Sequence, residues 1–247
     1  MNPTADAFLQ RWRQRDPAFA LAQIYARSDR FAPALGLYFE LQECLYRLSE
    51  RRLAESKLGW WLDEAAELAA GQPRHPLTQA LAPIADGAAA SALITATARQ
   101  LDAPTPANRA ALVNDRAALL QALQALLDDG SSALVLGALD DVYRLASLGQ
   151  GGADLNHPLS LAERARLPAT REELVAAPAR AAEARRDLAQ DWLAPVALGE
   201  ASPALAVHIG LWRQSLLRRG IEPIAGPLLA WRGWRMARKA KGQVVRT

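Results

Sequence analysis

The sequence predicts an all-α protein, a single-domain helical bundle, on three observations. Apolar residues make up 51% of its 247 positions, with Ala and Leu dominant, a composition that suits helices packed around one sizeable core. Leucines recur at helical spacing, as in Leu37, Leu41, Leu45 and Leu48, or Leu112, Leu119, Leu120, Leu123 and Leu127, so each set lines one helix face. No stretch sustains period-two alternation with β-branched enrichment, which leaves no strand to place.

Capping and breaking residues divide the chain into about ten helices. Thr4 caps a short first helix through Arg13. Asp16-Pro17 joins an N-cap to an N1 proline and opens a helix to about Arg27. Ser28-Asp29 starts the next, with Pro33 tolerated in its first turn, and that helix runs to about Leu48. From Glu50 a helix carrying Leu53, Lys57, Leu58, Trp60 and Trp61 continues to Ala70, where Gly71-Gln72-Pro73 stops it. His75-Pro76 opens a short helix to about Ile84, and beyond Gly87 lies a small-residue helix, Ala88 to Leu101. Thr105-Pro106 supplies cap and N1 for a long helix to Leu127, ended by Asp128-Asp129-Gly130. Ser131 caps the next, to about Leu148. Residues 149–158 form the longest non-periodic run. Short pieces around Ala162 and Glu172 follow, then helices at 179–193, 203–218 and 223–239.

Several function classes are set aside by composition. The lone Cys44 forbids an internal disulfide and fits a reducing compartment. His75, His157 and His208 are too far apart for a local zinc motif. The early Asp6 and Arg11 are unlike a secretory signal. The apolar window from Ala88 to Ala98 falls short of the roughly 20 residues that cross a bilayer. A cytoplasmic protein is expected. Net charge is +3, yet from His208 onward nine Lys or Arg face one acid, Glu222. The basic excess therefore belongs to the C-terminal end. There Trp231 and Trp234 alternate with Arg235, Arg238 and Lys239, a mixture suited to peripheral contact with an anionic membrane, such as the inner face of one. Nucleic acid is not expected, since no reading motif accompanies the charge.

The stretch Leu37-Tyr38, Glu50, Trp60-Trp61 and His75-Pro76 resembles the first conserved block of the squalene/phytoene synthase family. Leu136-Gly137-Ala138 and Arg166-Leu167-Pro168 resemble the ends of its second. The resemblance implies the isoprenoid synthase fold, in which two aspartate-rich helices hold Mg²⁺ against a prenyl diphosphate. Here Leu45, Tyr46 and Ser49 stand where the first aspartates belong, and the run from Leu155 to Leu161 where the second do. Glu43 is spaced to pair with Arg47. Asp140 and Asp141 diverge by about 100° on a helix, which puts one toward solvent and lets Asp141 meet Arg144. Asp128-Asp129 reads as a turn. No catalytic residue and no metal ligand is expected.

The resemblance without its carboxylates implies a non-catalytic protein that binds an isoprenoid or other lipid, or a protein partner, as the family's assembly-factor branch does. Candidates for lining its cavity are Arg30, Tyr38, Leu41, Leu45, Ser49, Lys57, Trp60 and Trp61. The alternative is an active Mg²⁺-dependent prenyltransferase with displaced carboxylates.

Overall fold

The structure is a computed structural model that describes residues 3–48, 50–148, 158–167 and 170–244. Among these it is all-helical, with fourteen helices and no strand. They are α1 (Pro3–Arg15), α2 (Pro17–Gln23), α3 (Phe31–Tyr46), α4 (Arg51–Ala69), α5 (Pro76–Leu81), α6 (Gly87–Asp102), α7 (Arg109–Asp115), α8 (Ala117–Leu127), α9 (Ala133–Ser147), α10 (Leu161–Arg164), α11 (Arg171–Ala176), α12 (Pro178–Trp192), α13 (Pro203–Arg219) and α14 (Pro227–Val244). The element added to those expected comes from the division of one long helix into α7 and α8.

Two helices organise the bundle. α3 is buried over nearly its whole length and is touched by α1, α4, α5, α6, α8 and α9. Its sequence, FAPALGLYFELQECLY, is mostly apolar, with Glu40, Gln42 and Glu43 its polar positions, as suits a central helix. α13 is its counterpart near the C-terminus, packed by α2, α9, α12 and α14. Leu37, Leu41 and Leu45 all face the core.

Three capping expectations hold, while Thr4 lies inside α1, which begins at Pro3. Asp16 caps α2, its Oδ1 accepting from the N–H groups of Ala18 and Phe19. Ser202 caps α13 in the same manner. His75 caps α5 by accepting the Leu77 N–H on Nδ1, a role that needs a neutral imidazole. Burial lowers its pKa in agreement.

Elsewhere the boundaries move, for identifiable reasons. The helix expected from Pro106 to Leu127 is broken at Arg116, and Asn108 rather than Thr105 caps its first half. Arg116 sits at φ −91° and ψ −1°, with its guanidinium drawn inward between two carboxylates described below. Ser132, not Ser131, caps α9, because the Ser131 hydroxyl accepts the N–H of Ser202. α3 begins at Phe31 and Ser28 holds the approach by accepting the Arg30 N–H. α14 starts at Pro227 instead of Pro223, after the Ser215 hydroxyl has engaged the Glu222 carbonyl. Asp128 does form a turn, in the left-handed region. The non-periodic run 149–157, with Asp154, Asn156 and His157, lies outside the described residues, as do Ser49 and Pro168.

Candidate functional site

α9 carries Asp140 and Asp141, and both are buried. Neither faces solvent, contrary to the helical-wheel expectation. Asp140 accepts from Arg144 Nε at 2.6 Å, Arg116 Nη1 at 2.9 Å and the Tyr38 hydroxyl at 2.7 Å. Asp141 accepts from Arg116 Nη1 and from Arg109 Nη2, each at 2.5 Å. Arg144 therefore belongs to Asp140, not Asp141, and two arginines from α7 and the α7–α8 break complete the cluster. Arg109 also stacks on Trp192 at 4.0 Å. Two buried carboxylates are thus met by three guanidinium groups.

The electrostatics follow from the geometry. Burial pushes the Asp140 carboxyl up, but the charges of Arg144 and Arg116 outweigh it and hold the group well below the usual carboxylate range. Burial and the neighbouring Asp140 raise Tyr38 well above the phenol value, so it remains a donor. Tyr46, also buried beside Arg144, is pushed up to about 12. Among the described residues no group of three or more His, Cys, Asp or Glu is arranged to hold a metal ion.

A second set of polar groups meets where α2 packs against α13. Asp16 Oδ2 accepts from Trp212 Nε1 at 3.0 Å and stands 2.7 Å from His208 Nε2. Burial disfavours the Asp16 carboxylate, yet the charge and hydrogen bond of His208, with those of Trp212 and the Phe19 N–H, lower its pKa. An ionised carboxylate only accepts, so Nε2 of His208 carries the hydrogen. Next to this pair lies a cavity of about 190 Å³, lined by Phe39, Arg47, Tyr143, His208 and Trp212 among others.

The residues singled out from the sequence are not gathered at one place. Tyr38 and Leu45 lie in the core with the ionic cluster. Lys57 reaches buried Glu40 at 3.7 Å, an acid already held by Arg11 and Trp12. Trp61 is buried against His75 at 4.6 Å while Trp60 is 41% exposed. Arg30 pairs with Asp128 near the surface. Glu43 turns to Arg15 at 2.6 Å in place of Arg47, whose guanidinium lies over the Tyr143 ring. Of the seven candidates among the described residues, none lines the 190 Å³ cavity. Sequence reading missed Arg109, Arg116, Arg47 and Tyr143, which carry no motif, and it took Asp16 only for a cap. The single available signal was the presence of buried-pattern charges on apolar helices.

Comparison with family models, with curated proteins and with solved structures gives no match for this chain.

Proposed function

We propose that the chain is a non-catalytic protein of the squalene/phytoene synthase type that works by binding a lipid or isoprenoid ligand, or a protein partner in the manner of an assembly factor. The observation that carries this reading is the ionic cluster of α9. A Mg²⁺ ion held there would have to displace Arg144, Arg116 and Arg109 from the two aspartates, and diphosphate departure needs carboxylates free to grip the metal. Incubation with farnesyl diphosphate and Mg²⁺ is expected to release no diphosphate above a protein-free blank. Sustained Mg²⁺-dependent release would establish the prenyltransferase alternative.

A second reading, peripheral binding to an anionic membrane, is favoured by α14. Its inner side buries Leu229, Ala237 and Ala240, while Leu228, Trp231 and Trp234 stay about half exposed. Arg235 lies over Trp231 and Arg238 over Trp234, at 4.8 and 4.9 Å. The outward face thus offers tryptophans at interfacial depth and cations to headgroups, each worth about 1 kcal/mol near an anionic surface. No helix in the described residues is long and apolar enough to cross a membrane. The full chain is expected to float with vesicles containing phosphatidylglycerol and not with pure phosphatidylcholine. The double variant Trp231→Ser/Trp234→Ser is expected to lose most of that flotation. Equal flotation with both vesicle types, or none lost in the variant, would dismiss this reading.

A further inference from the structure

The cavity beside Asp16 and His208 is bordered by three side chains whose polar atoms are buried and have no hydrogen-bond partner: Arg47 Nε, Tyr143 Oη and His208 Nδ1. Buried polar groups are ordinarily satisfied, and each exception asks for an explanation. Three around one cavity share one. Two of them flank one ring: the Phe39 centroid lies 6.0 Å from that of Tyr143 and 5.9 Å from that of His208. The Arg47 guanidinium sits 5.7 Å from the Tyr143 centroid. Phe39, Trp212, Leu139 and Val142 supply the apolar part of the wall, and Asp16, Arg15 and Glu222 the rest of its charged part.

The chemistry of these atoms defines what would satisfy them. Arg47 donates and carries charge. Tyr143 remains a phenol, because burial raises its pKa well above the ordinary value, so it too can donate. The two adjoin, which makes one end of the cavity a site for an anion. At the other end His208 has committed Nε2 to Asp16, and Nδ1 is a lone pair in the neutral ring or an N–H in the charged one. A hydroxyl answers either. Glu222 also borders the cavity and stands within electrostatic reach of Arg185, while Arg15, on the same lining, is paired with Glu43. Size fixes the body between the ends: an apolar cavity of about 150 Å³ takes benzene, so about 190 Å³ takes one six-membered ring with small substituents.

We propose that this cavity binds a small organic anion of about one ring in size, its carboxylate held by Arg47 and Tyr143 and a hydroxyl held by His208. The proposal rests only on the reading of the chain as a binding protein and adds a ligand class smaller than a lipid or isoprenoid.

The test is calorimetric titration of the full chain with 4-hydroxybenzoate, benzoate and phenol. 4-Hydroxybenzoate is expected to bind, and benzoate and phenol each at least about tenfold more weakly, since each leaves buried polar atoms unpaired. Arg47→Gln is expected to weaken 4-hydroxybenzoate at least about tenfold and Tyr143→Phe several-fold. Circular dichroism and melting temperature verify that each variant is folded. The comparison of the three compounds on the unaltered chain needs no variant at all. No heat with any compound to about 10 mM, equal affinity for all three, or unchanged affinity in folded Arg47→Gln would overturn the proposal. The failure of the parent reading is a separate observation, diphosphate release from farnesyl diphosphate, which this titration does not register.

Discussion

Replacing Asp140 with asparagine is expected to cost about 3–5 kcal/mol of stability, the penalty for removing one partner from a buried ion pair. Shape is kept while charge is lost, so the cost isolates electrostatics. Arg144, buried with Nε on Asp140, would be left without the carboxylate that offsets its desolvation. Arg116 would retain Asp141. For a chain of this length the melting temperature is expected to fall on the order of 10 °C, read by circular dichroism. The double variant Asp140→Leu/Arg144→Met is expected to be less damaged than Asp140→Asn, since it removes both charges together. Acidification gives an independent readout. The folded-state pKa of Asp140 is depressed, so its contribution is full above the unfolded value near 4 and declines as pH falls below it. Unaltered protein is therefore expected to lose stability more steeply between about pH 5 and 3 than Asp140→Asn does. Equal slopes, with an unchanged melting temperature at neutral pH, would show that the cluster is not a buried pair.

Gly220→Ala is expected to be at least as harmful. Gly220 ends α13 in the left-handed region, with φ 63° and its N–H on the Leu216 carbonyl. Any side chain there carries about 1–2 kcal/mol of backbone strain. Far worse, a Cβ would lie 1.6 Å from the backbone oxygen of Ala182 in α12. A main-chain atom cannot swing aside as a side-chain tip can, so α12 would have to separate from α13. Arg185, on that same α12, holds the Leu148 carbonyl and reaches the Gly220 carbonyl at 3.5 Å, and these contacts would be disturbed with it. The expected result is an unfolded or insoluble chain. Gly71→Ala, also at positive φ but with nothing within 4 Å of the new Cβ, is expected to lose only the strain. Similar melting temperatures for the two would contradict the close approach of α12 and α13.

The helices were legible because their signals are local. The Asp16-Pro17 and Ser202-Pro203 steps, the leucine spacing of α3 and the Gly71 break each act within a few residues of themselves. Boundaries failed where a distant partner intervened. Nothing near Arg116 in sequence says that it interrupts a helix; Asp140 and Asp141, more than twenty residues on, do. Ser131 loses its cap to Ser202 for the same reason. The site was less legible still. Lys57, Trp60 and Tyr38 were chosen for their chemistry on one stretch of chain, and successive helical positions point to different neighbours. The cavity is instead assembled from Arg47, Tyr143 and His208, which lie on three helices or their ends and carry no motif.

Asp16 and His208 stand 192 residues apart in the chain. The carboxylate that seals the second helix is therefore incomplete until the thirteenth has been made and brought back to it. A protein emerging from the ribosome with its first half exposed would keep that acid solvated, and only the late arrival of His208 and Trp212 would close the circle. Contacts of such long range slow folding. They also tie α2 to α13, so that neither helix can loosen without exposing the polar groups of the other.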